Sequence, residues 1–159
     1  MKVKKHQFGG LVGNLRRAYN YFFGDPYEYK PTLREGDSYK NSIIIDKGNQ
    51  HLYSYDNNGN LVFHTAVSTG AVPGNKKKEG DYKTPVGKFA ISQHEIRKDS
   101  ATFNNPNFWR LRGTGFKGID IHGDAGHPDK LGRPASHACI RMHSDSIAPF
   151  IKKAKPKVG

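Results

Sequence analysis

The stretch 122–143 reads His-Gly-Asp-Ala-Gly-His, then a connection carrying Pro, Lys and Gly, then Ser-His-Ala-Cys-Ile-Arg-Met-His. It holds four of the 8 histidines and the only cysteine of the chain. Together such residues can do nucleophilic chemistry. A free thiol is mostly protonated near neutral pH and the thiolate is the attacking form, so a reacting cysteine needs an imidazole or a cation beside it. Cys139 has His122 upstream, with Ser136, His137 and Arg141 as close flanks. A lone cysteine is more often a small buried apolar residue, but a structural thiol has no use for polar and cationic neighbours on both sides. His122 is the candidate base, and it precedes Gly123, where the missing side chain lets a substrate approach the backbone. Arg141 offers a planar fork suited to a carboxylate. In an extended segment it falls on the same face as Cys139.

Other chemistries fit less well. His122, Asp124, His127, His137, Cys139 and His143 are all possible zinc ligands, yet catalytic zinc sites use recognisable spacings such as His-Glu-x-x-His, and none occurs here. The expectation is thiol chemistry with no metal and no cofactor. The 26 Lys and Arg against 14 Asp and Glu leave a formal charge of +12, which favours an anionic polymer or surface. Nucleic acid would qualify, but no nucleic-acid-binding motif accompanies the charge, and acidic cell-wall material explains it as well. No apolar run approaches the roughly 18–20 residues of a membrane-spanning helix, and the N-terminus shows no leader-like apolar stretch. A single cysteine cannot form an intrachain disulfide, so it does not report on the redox compartment.

The elements that must hold these residues read as strands. A chain of 159 residues can enclose one core unaided. Apolar residues are 35% and aromatics 11%, with 18 Gly and 9 Pro, a mix that suits short strands joined by turns and predicts a β-rich α+β domain. Strands are expected at Ile43–Ile45, at Leu52–Tyr55 and from Leu61 to Val67, with a turn at Asn57, Asn58, Gly59 and Asn60. Ala71–Tyr82, with Lys76, Lys77 and Lys78, reads as a solvated loop. A strand is expected over Gly87–Ser92 and another over Gly118–Ile121, delivering His122 at its end. Between them 93–117 reads as irregular, either a lid or a surface excursion whose Phe108 and Trp109 tuck into the core. A short helix should begin near Ser146, with Phe150 and Ile151 facing inward, before the basic tail Lys152, Lys153, Lys155 and Lys157.

Residues 1–40 differ in texture and form an arm preceding a main domain over 41–159. After Lys2, Lys4 and Lys5, apolar Leu11, Leu15, Ala18, Tyr19 and Phe22 recur at helical spacing. This predicts an amphipathic helix packed across the main domain, although Arg16 and Arg17 would also permit a membrane-surface role. Gly24, Pro26 and Pro31 mark a linker.

At the motif residues the sequence resembles the L,D-transpeptidase catalytic domain, also called the YkuD domain. That family carries His-Gly at a strand end, a spacer, and then Ser/Thr-His-Gly-Cys followed by an apolar residue and commonly Arg. The match is His122-Gly123, a spacer of 13 residues from Gly123 to Ala135, and Ser136-His137-Ala138-Cys139-Ile140-Arg141-Met142. It extends upstream to Ser68-Thr69-Gly70 and to Asp81-Tyr82-Lys83-Thr84-Pro85-Val86-Gly87-Lys88-Phe89, covering about residues 42–153.

The resemblance implies a mixed β-sheet or sandwich domain with short helices. It implies that Cys139 attacks, that His122 takes its proton and that His137 supports the site. Backbone N–H groups around Cys139 would hold the oxyanion. Arg141 would meet a substrate carboxylate, and Ser136, Gly123 and Ala138 would line the substrate side. The implied partner is the peptidoglycan stem peptide, in the periplasm or cell envelope, with acylation by carbapenems as a further implication. A stem amine, a free D-amino acid or water could accept the acyl group, and such an enzyme could serve its own wall or be delivered to a competitor's. One departure is Ala138 in place of the family's glycine. If that glycine serves a positive φ, alanine costs about 1–2 kcal/mol and adds a methyl near the oxyanion, which would leave a weakened or merely wall-binding homologue.

Overall fold

The computed structural model describes residues 31–33, 35–97, 106–124 and 126–159. The amphipathic helix expected over 11–22 lies outside the described residues. Among the described residues seven strands follow from the β-branched and aromatic runs: β1 Ile43–Asp46, β2 His51–Tyr55, β3 Leu61–Ser68, β4 Ala90–Ile96, β5 Asn107–Arg112, β6 Asp120–Gly123 and β7 Ile140–Met142. At the turn between β2 and β3 the Asp56 carboxylate accepts the Asn58 and Asn60 N–H groups at 2.8 and 2.9 Å. Gly59 supplies the positive φ of 84° that this turn needs.

The strand order is β1-β2-β3-β7-β6-β5-β4 in one sheet, and every pair is antiparallel except β6 and β7, which run parallel. The sandwich alternative is therefore corrected to a single mixed sheet. Its continuity comes from β3, whose 61–66 portion pairs with β2 while Val67 and Ser68 pair with Met142 and Arg141 of β7. Consecutive strands lie side by side along each arm of the order, and the centre is closed by two strands distant in sequence.

One face of the sheet carries the core. Leu52, Val67, Trp109, Ile121, Ala138, Ile140 and Met142 pack with Phe63, Ile147 and Phe150, each large side chain contributing about 1.5–3 kcal/mol by leaving water. The C-terminal helix starts as a 3₁₀ turn at Ser144–Ser146, continues as α over Ile147–Pro149 and widens to π over Phe150–Ala154. Its Phe150 ring meets Trp109 edge-on with centroids 5.0 Å apart. Phe150 is wholly buried, but Ile151 is 42% exposed. Adjacent helical residues are rotated by about 100°, so both could not face the core.

The strand boundaries also differ from expectation. The strand expected over Gly87–Ser92 lies at Ala90–Ile96, because Gly87 and Lys88 stay exposed and the chain enters the sheet only at Ala90. β6 begins at Asp120 and runs one residue past His122. The irregular reading of 93–117 fails at β5, where Phe108 and Trp109 are both buried. A strand covered on both faces shows no polar alternation, which removes the signal that would mark it.

Candidate active site

The polar chemistry sits on the opposite face of the strands that bury Ile121, Ile140 and Met142. In the parallel pair His122 stands opposite Arg141, and Ile121 opposite Ile140. Side chains alternate along a strand, so Asp120 and His122 share a face with Cys139 and Arg141. β5 continues the same face, with Phe108 opposite His122 and Arg110 opposite Asp120.

His122 is 3% exposed, and its Nδ1 lies 2.7 Å from the Gly123 carbonyl oxygen. A carbonyl only accepts, so Nδ1 carries the proton and the neutral ring keeps its lone pair on Nε2. Burial pushes the His122 pKa down to about 4, against the contribution of that hydrogen bond and with some help from Arg141. The ring is therefore neutral at neutral pH. It stacks on Phe108 with centroids 5.1 Å apart, and the Arg97 guanidinium lies 4.0 Å from the Phe108 centroid. Beside it the buried Asp120 accepts hydrogen bonds from Arg110 Nε, from Arg110 Nη2 at 3.2 Å and from Arg97 Nη2 at 3.5 Å. A carboxylate this deep needs such partners to offset the hydration it has lost.

The Cys139 segment is fixed differently, through its backbone. The Ser136 hydroxyl accepts the Ala138 N–H at 3.2 Å and donates to the Cys139 carbonyl at 2.5 Å, closing the turn before β7. Its own N–H and carbonyl bond to Thr69 O and Ala71 N. Ser136 is wholly buried, and these bonds hold the turn in shape. The half-buried Cys139 donates its thiol hydrogen to the Gly118 carbonyl at 3.2 Å. Burial pushes the thiol pKa up, with the Asp120 N–H, Arg141 and Arg110 acting the other way. The resting pair is thus a neutral thiol and a neutral imidazole.

Ala138 does not have a positive φ, and its methyl belongs to the apolar core. The strain anticipated for alanine at this position is absent, and the methyl points away from the thiol's face. Gly123 is buried within β6 opposite Met142. Arg141 Nε is buried with no hydrogen-bond partner among the described residues, and so is the Ser68 hydroxyl, its cross-strand neighbour. His137 is exposed and meets Tyr82 edge-on with centroids 5.1 Å apart. It stands at the rim.

Among the described residues no three of His, Cys, Asp and Glu gather closely enough to hold a metal ion. The Asp124 carboxylate is engaged by Gly126 N, Ser144 N and Ser144 Oγ. No helix among the described residues is long and apolar enough to cross a membrane. A cavity lined by Ile43, Ile45, Phe89, Leu111, Ile121 and Ile140 opens on the core face, away from the thiol. The supporting residues Arg97, Phe108, Arg110 and Asp120 carry no local motif, because strand pairing alone brings them together. Thr84 and Gly118 lie inside or beside quoted motifs, and only the fold shows what they touch.

Sheet and site together define a β-rich domain that presents a thiol, an imidazole and a guanidinium on one face of a parallel strand pair. The chain belongs to the L,D-transpeptidase catalytic domain family, YkuD, which it matches over residues 40–158. Among solved structures, an L,D-transpeptidase from Xylanimonas cellulosilytica is 23% identical with a TM-score of 0.55, covering 82% of this chain and 62% of that one. The helical cell shape determining protein Pgp2 from Campylobacter jejuni is 25% identical with a TM-score of 0.55, covering 70% and 43%. The L,D-transpeptidase LdtMt1, solved in complex with imipenem, is 18% identical with a TM-score of 0.50, covering 69% and 52%. The chain spans less than two thirds of each of these. No curated protein matches it at a significant level.

Proposed function

We propose that this domain catalyses cysteine-dependent acyl transfer on peptidoglycan stem peptides in the cell envelope. The observation that carries the reading is the shared face of β6 and β7, which sets His122 beside the Cys139–Arg141 segment, while the Nδ1–H bond to Gly123 keeps the ring's lone pair on Nε2. The thiol leaves the Gly118 carbonyl and gives its proton to Nε2. Cys139 Sγ then bonds to the carbonyl carbon of the L-centre at the third stem position. The bond to the terminal D-amino acid breaks, His122 returns the proton to the departing amine, and a thioester remains. An amine from another stem gives a 3→3 cross-link, a free D-amino acid gives exchange, and water gives L,D-carboxypeptidase hydrolysis.

Raising the thiol pKa and lowering the imidazole pKa both disfavour a standing ion pair, so His122 acts as a general base during attack. His137 at the rim flanks the entrance, and Arg141 is the candidate grip for the stem carboxylate. Mass spectrometry of muropeptides incubated with the protein tests the proposal. The expected result is loss of the terminal D-amino acid with a thioester on Cys139, and the product identifies the acceptor. Unchanged muropeptides with no adduct on a reactive thiol would support a wall-binding homologue instead.

A further inference from the structure

Thr84 links the loop after β3 to the nucleophile's own peptide unit. The residue is 4% exposed, and its hydroxyl accepts the Gly70 N–H at 2.8 Å and donates to the Ala138 carbonyl at 2.6 Å. An N–H can only donate, so the hydroxyl proton is committed to that carbonyl. The Ala138 carbonyl shares a peptide plane with the Cys139 N–H. No cis peptide bond occurs among the described residues, and in a trans unit the C=O and N–H point in opposite directions. Holding the carbonyl against Thr84 therefore turns the Cys139 N–H to the other side.

Three further contacts keep the arrangement from drifting. The Thr84 carbonyl accepts Lys47 Nζ at 2.5 Å, which ties its own backbone to the end of β1. The Ala138 methyl is anchored in the core. Gly70 lets the two chain segments touch, since a Cβ there would collide with the Tyr82 carbonyl and stand 2.7 Å from Thr84 N. A hydroxyl used only to brace a loop could bond any nearby group, but this one fixes the single plane that contains the nucleophile's amide.

We infer that Thr84 is a positioning residue whose hydroxyl orients the Ala138–Cys139 peptide so that the Cys139 N–H receives the oxyanion. The inference rests on the acyl-transfer reading above. When Sγ bonds to the carbonyl carbon, the π electrons move to oxygen, and a donor already aimed at that oxygen needs no reorganisation.

Two reactions of the same thiol separate this role from a structural one. Acylation by a carbapenem or an activated ester builds negative charge on oxygen, whereas alkylation by iodoacetamide displaces iodide at a saturated carbon and builds none. In the full chain, Thr84→Val should slow acylation about 10- to 100-fold, the scale on which a misaligned oxyanion donor acts. Alkylation should keep the wild-type rate, and Thr84→Ser should recover acylation. Acylation at the wild-type rate in Thr84→Val, or equal slowing of both reactions, overturns the inference. If Thr84→Val does not fold, Thr84→Ala is read in the same way. Loss of fold in both hydroxyl-free variants makes the hydroxyl a brace of the fold and overturns the inference too. A wild type that alkylates normally and never acylates brings down the acyl-transfer reading itself, which is a distinct result.

Discussion

The two sides of the site are held by different physics. On the base side His122 is placed by ring and charge contacts: Phe108 under the imidazole, Arg97 against Phe108, and Asp120 between Arg97 and Arg110. On the side of the proposed nucleophile, Cys139 is placed through neutral hydrogen bonds: the Ser136 hydroxyl donates to the Cys139 carbonyl, the Thr84 hydroxyl donates to the Ala138 carbonyl, and the Thr69 carbonyl accepts the Ser136 N–H. Each arrangement suits its task. An imidazole must keep one tautomer and a lowered pKa, which burial and a fixed Nδ1 partner provide. A nucleophile must meet a carbonyl while a backbone donor meets the developing charge, which calls for a fixed peptide plane.

The sharpest break in this comparison is removal of the thiol. Cys139→Ala should abolish the covalent adduct with a carbapenem, read as the loss of one drug mass from the intact protein, while the fold survives because the side chain is only half-buried. An adduct on the variant would refute the nucleophile assignment. Next in size is the base. His122→Ala should slow acylation by roughly 10²- to 10⁴-fold, as expected for a positioned acid–base group. Its pH profile sharpens the point: the acid limb should fall near the His122 pKa of about 4, well below the ordinary value of 6.5. The sign for stability follows, because the unfolded chain binds the proton first as pH drops. His122 therefore contributes stability above about 6.5 that is lost as pH falls through about 4. A limb near 6.5 in the wild type would show that the ring is not held neutral by burial.

Much of this site was legible in the chain because its chemistry is local. His122-Gly123 and Ser136–Met142 lie within one short stretch, and the alternation of Cys139 and Arg141 with Ile140 and Met142 already separates the polar face from the buried one. The clamp on Asp120 was not legible. Arg110 and Asp120 meet only through β5–β6 pairing, and β5 itself escaped notice because Phe108 and Trp109 are covered on opposite faces. Ala138 shows the converse: its motif position suggested strain, and the backbone shows none. A side chain's identity reports what chemistry is possible, whereas φ and cross-strand register depend on contacts far along the chain.

Breaking the charged side should cost stability before it costs chemistry. Arg110→Met removes the closer partner of Asp120 and leaves a 4% exposed carboxylate with Arg97 at 3.5 Å. Truncating one member of a buried ionic group typically destabilises by about 3–5 kcal/mol, and the half-exposed guanidinium puts this case at the lower end. Denaturant melts should show that loss at both low and high salt, since buried pairs are screened little. A midpoint equal to wild type would mean that Asp120 is satisfied without Arg110.

The smallest effect, and the one that joins the two sides, concerns Arg141. It stands opposite His122 in the parallel pair and two residues beyond Cys139, and its buried Nε has no hydrogen-bond partner among the described residues. A buried guanidinium nitrogen left unmatched is costly enough to need a reason. Bracing the fold through Asp145 is not that reason, because Asp145 is 88% exposed and lies near His143, and Arg141 makes no ion pair among the described residues. A stem-peptide carboxylate would satisfy the fork in two hydrogen bonds, where an ammonium would offer a point charge. Arg141→Lys should therefore lower stem-peptide turnover about 10- to 100-fold, the worth of one charge-assisted hydrogen bond at roughly 1.5–3 kcal/mol. Iodoacetamide, which has no carboxylate, should react at the wild-type rate, and the melting temperature should hold. Parallel loss of peptide turnover, alkylation and melting temperature would make Arg141 part of the scaffold and leave the substrate carboxylate without its proposed grip.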